Sequence, residues 1–199
     1  MICPGRAKLT GKDVDHMPEE LLLRHCSPTL AGLKTGSLFT CSFTDEDTMR
    51  RSVRDWNCRM VPKGLRVIPL RYRDGRGLIY VYRPGRLNTD LMDPVAVQLL
   101  EERGYPMADG DRCVCRLMSR LREGEEFPHE IGLFLGYPPT DVHGFIHVGP
   151  RGCKCVGDWK VYGNEEQAKR KFAQYRKCTA VYCDCHAKGR TVEQLTVPS

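Results

Sequence analysis

The chain has 199 residues, 41% of them hydrophobic and 28% charged, which excludes wholesale disorder and leaves enough chain to bury a sizeable core. The net charge of +6 is unevenly placed. Residues 50–86 carry ten arginines and one lysine against Asp55 and Asp74, a local excess of nine positive charges, while the rest of the chain stands at −3. The longest apolar stretches, such as Ile131 to Tyr137, are far too short for a bilayer span.

The first residues, MICPGRAKLTGKD, lack the apolar run of a secretion signal, so a cytoplasmic protein is expected. The eleven cysteines are odd in number and cannot all pair internally. In a reducing compartment they are expected as free thiols or metal ligands rather than a disulfide framework.

In chain order, Pro18, Glu19 and Glu20 open a short helix that ends near Cys26. Ser27 then caps, and Pro28 opens, a second helical turn reaching Lys34. GSLFTCSF alternates and predicts a strand. Thr44 or Asp45 caps a helix that runs to Met60. LRVIPLRY and GLIYVYRP predict two strands joined by a hairpin at Asp74-Gly75. DPVAVQLLEERG, stopped by Gly104, and DRCVCRLMSRLREG predict helices.

Pro128 opens a further helix with Ile131, Phe134 and Leu135 on one face, closed by Gly136. A second begins near Pro139 with Val142, Phe145 and Ile146 on one face, giving a tight helical hairpin. CVGDWKVYG predicts a strand, Asn164 to Cys178 a helix, and TAVYCDC and EQLTV short strands. The whole predicts one α+β domain over 1–199, a mostly antiparallel sheet with packed helices, with 1–16 a loosely ordered N-terminal segment.

Four stretches carry a family resemblance: HCSPTLAGLKTGSLF, FPHEIGLFLGYPPTDVHGFI, WKVYG and YRKCTAVY. Together they resemble the bacterial family called domain of unknown function 3793, found largely in Clostridia-type anaerobes, over Pro18 to Val197. The resemblance implies a single cytosolic domain and no established activity. The family pattern falls on His25, Cys26, Pro28, Thr29, Ala31, Gly32 and Lys34. It falls again on Phe127, Pro128, His129, Glu130, Gly132, Gly136, Tyr137 and Asp141, and on Trp159, Lys160 and Tyr162. Ser27 departs from it, standing where the pattern has alanine. The thiol pairs near Cys113, Cys153 and Cys183 are not part of it.

Three chemistries compete. Cys26, placed just before a helix N-terminus, would be a thiolate nucleophile for redox or thiol chemistry, with His129 as base and Glu130 orienting it. His25 is a poor direct partner, since helix neighbours diverge. The bland alternative packs Cys26 against Leu22 as a small apolar residue. His25, Thr29, Lys34 and Tyr137 are the accompanying binding candidates. Lys34-Thr35-Gly36 suggests phosphate chemistry, but no glycine-rich loop precedes it, so it is not a P-loop.

The second chemistry is metal binding: Cys153, Cys155, Cys183, Cys185 and His186 would hold zinc or an iron–sulfur cluster if both Cys-x-Cys pairs lie on extended chain. Cys113 and Cys115 lie on a predicted helix and diverge. The third is a non-catalytic module that binds an anion or nucleic acid through the Arg-rich 50–86 region, where Tyr72, Tyr80 and Tyr82 are interleaved. A solvated hairpin face is the bland alternative there. The hairpin helix from Pro139 has few base-reading side chains, which argues against a helix-turn-helix.

Overall fold

The computed structural model of the protein describes residues 16–107, 109–124 and 126–199. The segment expected to be loosely ordered over 1–16 lies outside these residues except for His16, whose ring stacks 6.5 Å from that of Trp56.

The α+β class is observed, with a three-stranded antiparallel sheet at the centre. Its strands β1 (Gly36–Ser42), β2 (Arg66–Arg73) and β3 (Arg76–Tyr82) lie in the order β1-β3-β2. Asp74 and Gly75 both have positive φ, 50° and 68°, so the two-residue turn twists in the sense the flanking strands need. The period of two splits the sheet cleanly. Phe39, Cys41, Val67, Ile79 and Val81 join one core, while Leu70, Tyr80 and Tyr82 join the other.

Helices cover both faces. On the first lie α1 (Glu19–Leu30) and α2 (Glu46–Met60), which bring Leu22, Leu23, Trp56 and Met60. Asp45 caps α2 by accepting from Thr48 N–H at 2.9 Å, as its sequence predicts. On the second face lie α3 (Pro84–Asp90), α4 (Pro94–Glu101), α5 (Gly110–Glu123), α6 (Ile131–Phe134) and α7 (Pro139–Val148), around Leu87, Leu99, Leu117 and Phe134. A long helix, α8 (Glu165–Ala187), packs along α1. The small hairpin β4 (Cys155–Val156) and β5 (Lys160–Val161) sits near its N-terminal half, where Trp159 meets Phe172 edge-on at 4.5 Å. A short α9 (Val192–Leu195) follows. Among the described residues no helix is long and apolar enough to cross a membrane.

Several expectations are corrected. Pro28 does not open a new helix but lies inside α1. Ser27 does not cap; its hydroxyl donates to Leu23 O at 2.5 Å, and Cys26 through Leu30 are all buried. Burial of this turn from every side outweighs the proline penalty. The helix stops at Gly32, with φ +72°, while the Arg83 guanidinium donates to Thr29 O and Leu30 O, both at 2.8 Å.

TAVYCDC is not a strand but the last third of α8. Tyr175, Cys178, Tyr182 and Cys185 recur at three and four residues, and Tyr182 and Cys185 pack on the α1 core. EQLTV is not a strand; its first three residues belong to α9. CVGDWKVYG turns at Gly157 to Trp159 and supplies two short strands rather than one. Of the hairpin helices, α6 is a single turn, because Pro128 to Glu130 form a turn ahead of it. The α3 helix has no counterpart in the sequence expectations.

Candidate functional site

Cys26 sits in the layer between the sheet and α1–α2 and is wholly inaccessible. Burial pushes its thiol pKa far above the ordinary value; the Lys34 charge and a Ser37 hydrogen bond oppose this only partly. The helix-terminus thiolate expected from Ser27-Pro28 is therefore corrected: the residue is mid-helix and the environment favours the thiol. His129 is on the far side of the sheet, exposed, with its ring edge-on to Phe145 at 4.8 Å. Glu130 does not orient it. Glu130 is 2% exposed, accepts from Tyr105 Oη at 2.9 Å, and pairs with Arg103 at 3.6 Å. Arg120 Nε lies 2.7 Å from Glu130 Oε1, in an ionic approach rather than a directed hydrogen bond.

The three members of the expected thiol site do not meet. With a thiol reagent on the folded protein, exposed Cys58, Cys115 and Cys183 are expected to label, and Cys26 only after denaturant is added. Peptide mass mapping reads this directly, and early labelling of Cys26 would show that α1 opens in the native state.

The other candidates divide. His25 is exposed and stacks on Phe39 at 5.5 Å, and Thr29 is buried, 2.9 Å from the Ser37 hydroxyl, so both serve packing of α1 on β1. The proposed metal set is not assembled. Cys155 lies by Glu165 and Lys169 in the first turns of α8, whereas Cys183, Cys185 and His186 are in its last turns, roughly 20–30 Å away along the helix. His186 faces Glu19 and Glu20 at 3.8 and 3.7 Å. Among the described residues no three or more His, Cys, Asp or Glu side chains are grouped to hold a metal.

The Arg-rich segment is likewise divided. Arg50, Arg51, Arg59, Arg66 and Arg73 each lie within 4 Å of a carboxylate, and Arg83 is buried against backbone carbonyls. Arg71, Arg73 and Arg76 share a shallow surface hollow with Asp74 at the hairpin end.

Lys34 and Tyr137 are brought together. They line a cleft of about 480 Å³ built by four separated segments: the loop after α1, α3, the turn between α6 and α7, and the N-terminal half of α8. Gly32 turns the chain so that Lys34 enters the cleft, with its N–H donating to Pro28 O at 3.1 Å. The Lys34 ammonium lies 5.1 Å from the Tyr137 ring centre and 6.0 Å from that of Tyr175. Burial lowers the Lys34 pKa, against the opposing charge of Asp158. Tyr137 is itself held: its hydroxyl donates to Asp158 O at 3.2 Å and its ring stacks on Trp159 at 4.9 Å. Burial and the Asp158 charge push its phenol up to about 12.

Behind this wall Asp141, buried at the start of α7, accepts from Trp159 Nε1, Tyr162 N–H and Gly163 N–H, each at 2.7 Å. That carboxylate fixes the β4–β5 hairpin, and through it Trp159 and Tyr137.

The cleft's charges are unequal in freedom. Asp90 accepts from the Thr35 hydroxyl, and Asp93 caps α4, accepting from Val95 N–H at 2.9 Å and Ala96 N–H at 3.3 Å. Lys34, Arg86 and Lys171 make no ion pair with a carboxylate among the described residues, although Arg86 donates to Gly32 O. Sequence reasoning missed Arg86 as a cleft residue, Asp90, Lys171 and Tyr175. A signal existed for α8: Gln167, Lys171 and Tyr175 are four residues apart and so share a face.

Beside the cleft, across Tyr137, lies a mostly apolar pocket of about 190 Å³ containing His129, Phe145 and Trp159. The family model described as "Protein of unknown function (DUF3793)" matches residues 22–196. The chain belongs to this family. No curated protein and no solved structure matches it. All four stretches that carry the DUF3793 resemblance come to the cleft or its back wall: Lys34, Tyr137, Trp159 and Tyr175.

Proposed function

We propose that this DUF3793 protein binds a small anionic molecule in the cleft between α3, α8 and the loop that carries Lys34. The observation that carries the reading is the charge imbalance of the cleft: three cations, none in an ion pair with a carboxylate among the described residues, line it against two acids that also serve as hydrogen-bond acceptors within the fold. Three cations from separate segments against two acids leave the concavity net positive, which favours an anion there. Of the Arg-rich segment, Arg86 alone contributes, so the anion-binding role is retained but moved from the hairpin to the cleft.

Tyr137 and Tyr175 give the ligand's carbon skeleton a flat wall, and Thr35 and Gln167 line the same space with polar groups. Titration calorimetry with phosphate, sulfate and small di- and tricarboxylates at low ionic strength tests the reading. Lys171→Met is expected to weaken a binding anion about tenfold or more, the worth of one charge-assisted contact, and added salt to weaken it further. Equal affinity in parent and variant would place the anion elsewhere.

A further inference from the structure

Lys34 differs from the other cations of the cleft. Its amine is at the inner wall, flanked by two tyrosine rings, with no carboxylate of the described residues within 4 Å, while Arg86 and Lys171 stand on α3 and α8 at the cleft's other sides. Withdrawal from water at the cleft wall favours the neutral, nucleophilic form of the amine and outweighs the opposing attraction of the two ring faces and of the Asp158 charge. The lowered pKa of Lys34 agrees with that geometry.

We propose that Lys34 forms an imine with a small carbonyl compound that carries an anionic group, the anion held by Arg86 and Lys171. The inference rests on the anion-binding reading above and names the class of ligand. The Nζ lone pair attacks the carbonyl carbon to give a carbinolamine. The carbonyl oxygen then leaves as water with both amine protons, and a carbon–nitrogen double bond replaces the carbon–oxygen one. No oxidant or reductant enters this step. The tyrosine faces that desolvate the amine also shield the imine from hydrolysis.

Trapping with cyanoborohydride, followed by peptide mass mapping, tests it. The full chain is treated with glyoxylate, glycolaldehyde phosphate or neutral propionaldehyde. A lowered amine pKa raises its neutral fraction, so Lys34 should be modified in clear preference to exposed Lys154, Lys169 and Lys188. The carboxylate and phosphate probes distinguish the two sources of the anion. Lys171→Met, which leaves Lys34 in place, should reduce trapping of the anionic aldehydes and not of propionaldehyde. Lys34→Arg, which retains the charge if Lys34→Met fails to fold, should abolish site-specific trapping.

Modification spread evenly over surface lysines overturns the proposal, as does equal trapping of charged and neutral aldehydes at Lys34. Calorimetric anion binding without trapping at Lys34 sinks the imine and leaves the anion site standing. Loss of both sinks both.

Discussion

Asp141→Ala is expected to cost about 3 kcal/mol or more, because three donors aimed at one buried carboxylate lose their acceptor together. In a chain of this length that corresponds to a midpoint about 6–12 °C lower in a thermal melt. The loss should be concentrated in the β4–β5 hairpin. Trp159 would no longer be held from behind, and Tyr137, stacked on it, would lose its backing at the cleft. Asp141→Asn keeps one acceptor oxygen and should fall between the two. An unchanged midpoint would mean that the hairpin is held by Trp159 and Phe172 packing alone. Stability retained with weakened anion binding would instead assign Asp141 chiefly to positioning Tyr137.

The second large effect belongs to Glu130. Glu130→Ala leaves Arg103 and Arg120 facing a buried hole, with the Tyr105 hydroxyl unpartnered. Removing one member of a buried ion pair typically costs about 3–5 kcal/mol, and the low end applies because the two arginine side chains keep 21% and 33% exposure. Arg120→Leu in the same background should recover part of the loss, since it removes an uncompensated charge. A double-mutant cycle in urea reads the coupling. Additive losses from the two single variants would show that Glu130 and Arg120 do not interact in solution. The same experiment separates Glu130 from any catalytic role: thiol labelling and anion binding should be unchanged in whatever fraction of the variant stays folded.

These two carboxylates show how much could be read from residues alone. Glu130 stands in the sequence beside a histidine and reads as half of an acid–base pair. Its partners, Arg103, Arg120 and Tyr105, are at least ten residues away and unconnected by any local pattern. Asp141 reads as a residue of a helix's first turn, which it is; that its carboxylate also collects a hairpin from 18 to 22 residues on is a tertiary fact.

By itself the sequence determined what depends on short-range physics. The alternation of residues 36–42 and 66–82, with Asp74-Gly75 between strands, specified the sheet and its turn. Asp45 and Asn164 marked the starts of α2 and α8 because a capping side chain needs only the next three residues. The DUF3793 motifs were legible as strings. Tertiary structure decided the rest. Burial of Cys26 to Leu30 carried α1 through Pro28 and removed the thiolate, and packing on α1 kept Tyr182 and Cys185 helical where a strand was expected. Long-range closure also brought Lys34, Arg86, Tyr137 and Lys171 to one cleft. Caps and alternation act over a few residues, whereas desolvation and charge convergence depend on which distant segments the core brings together.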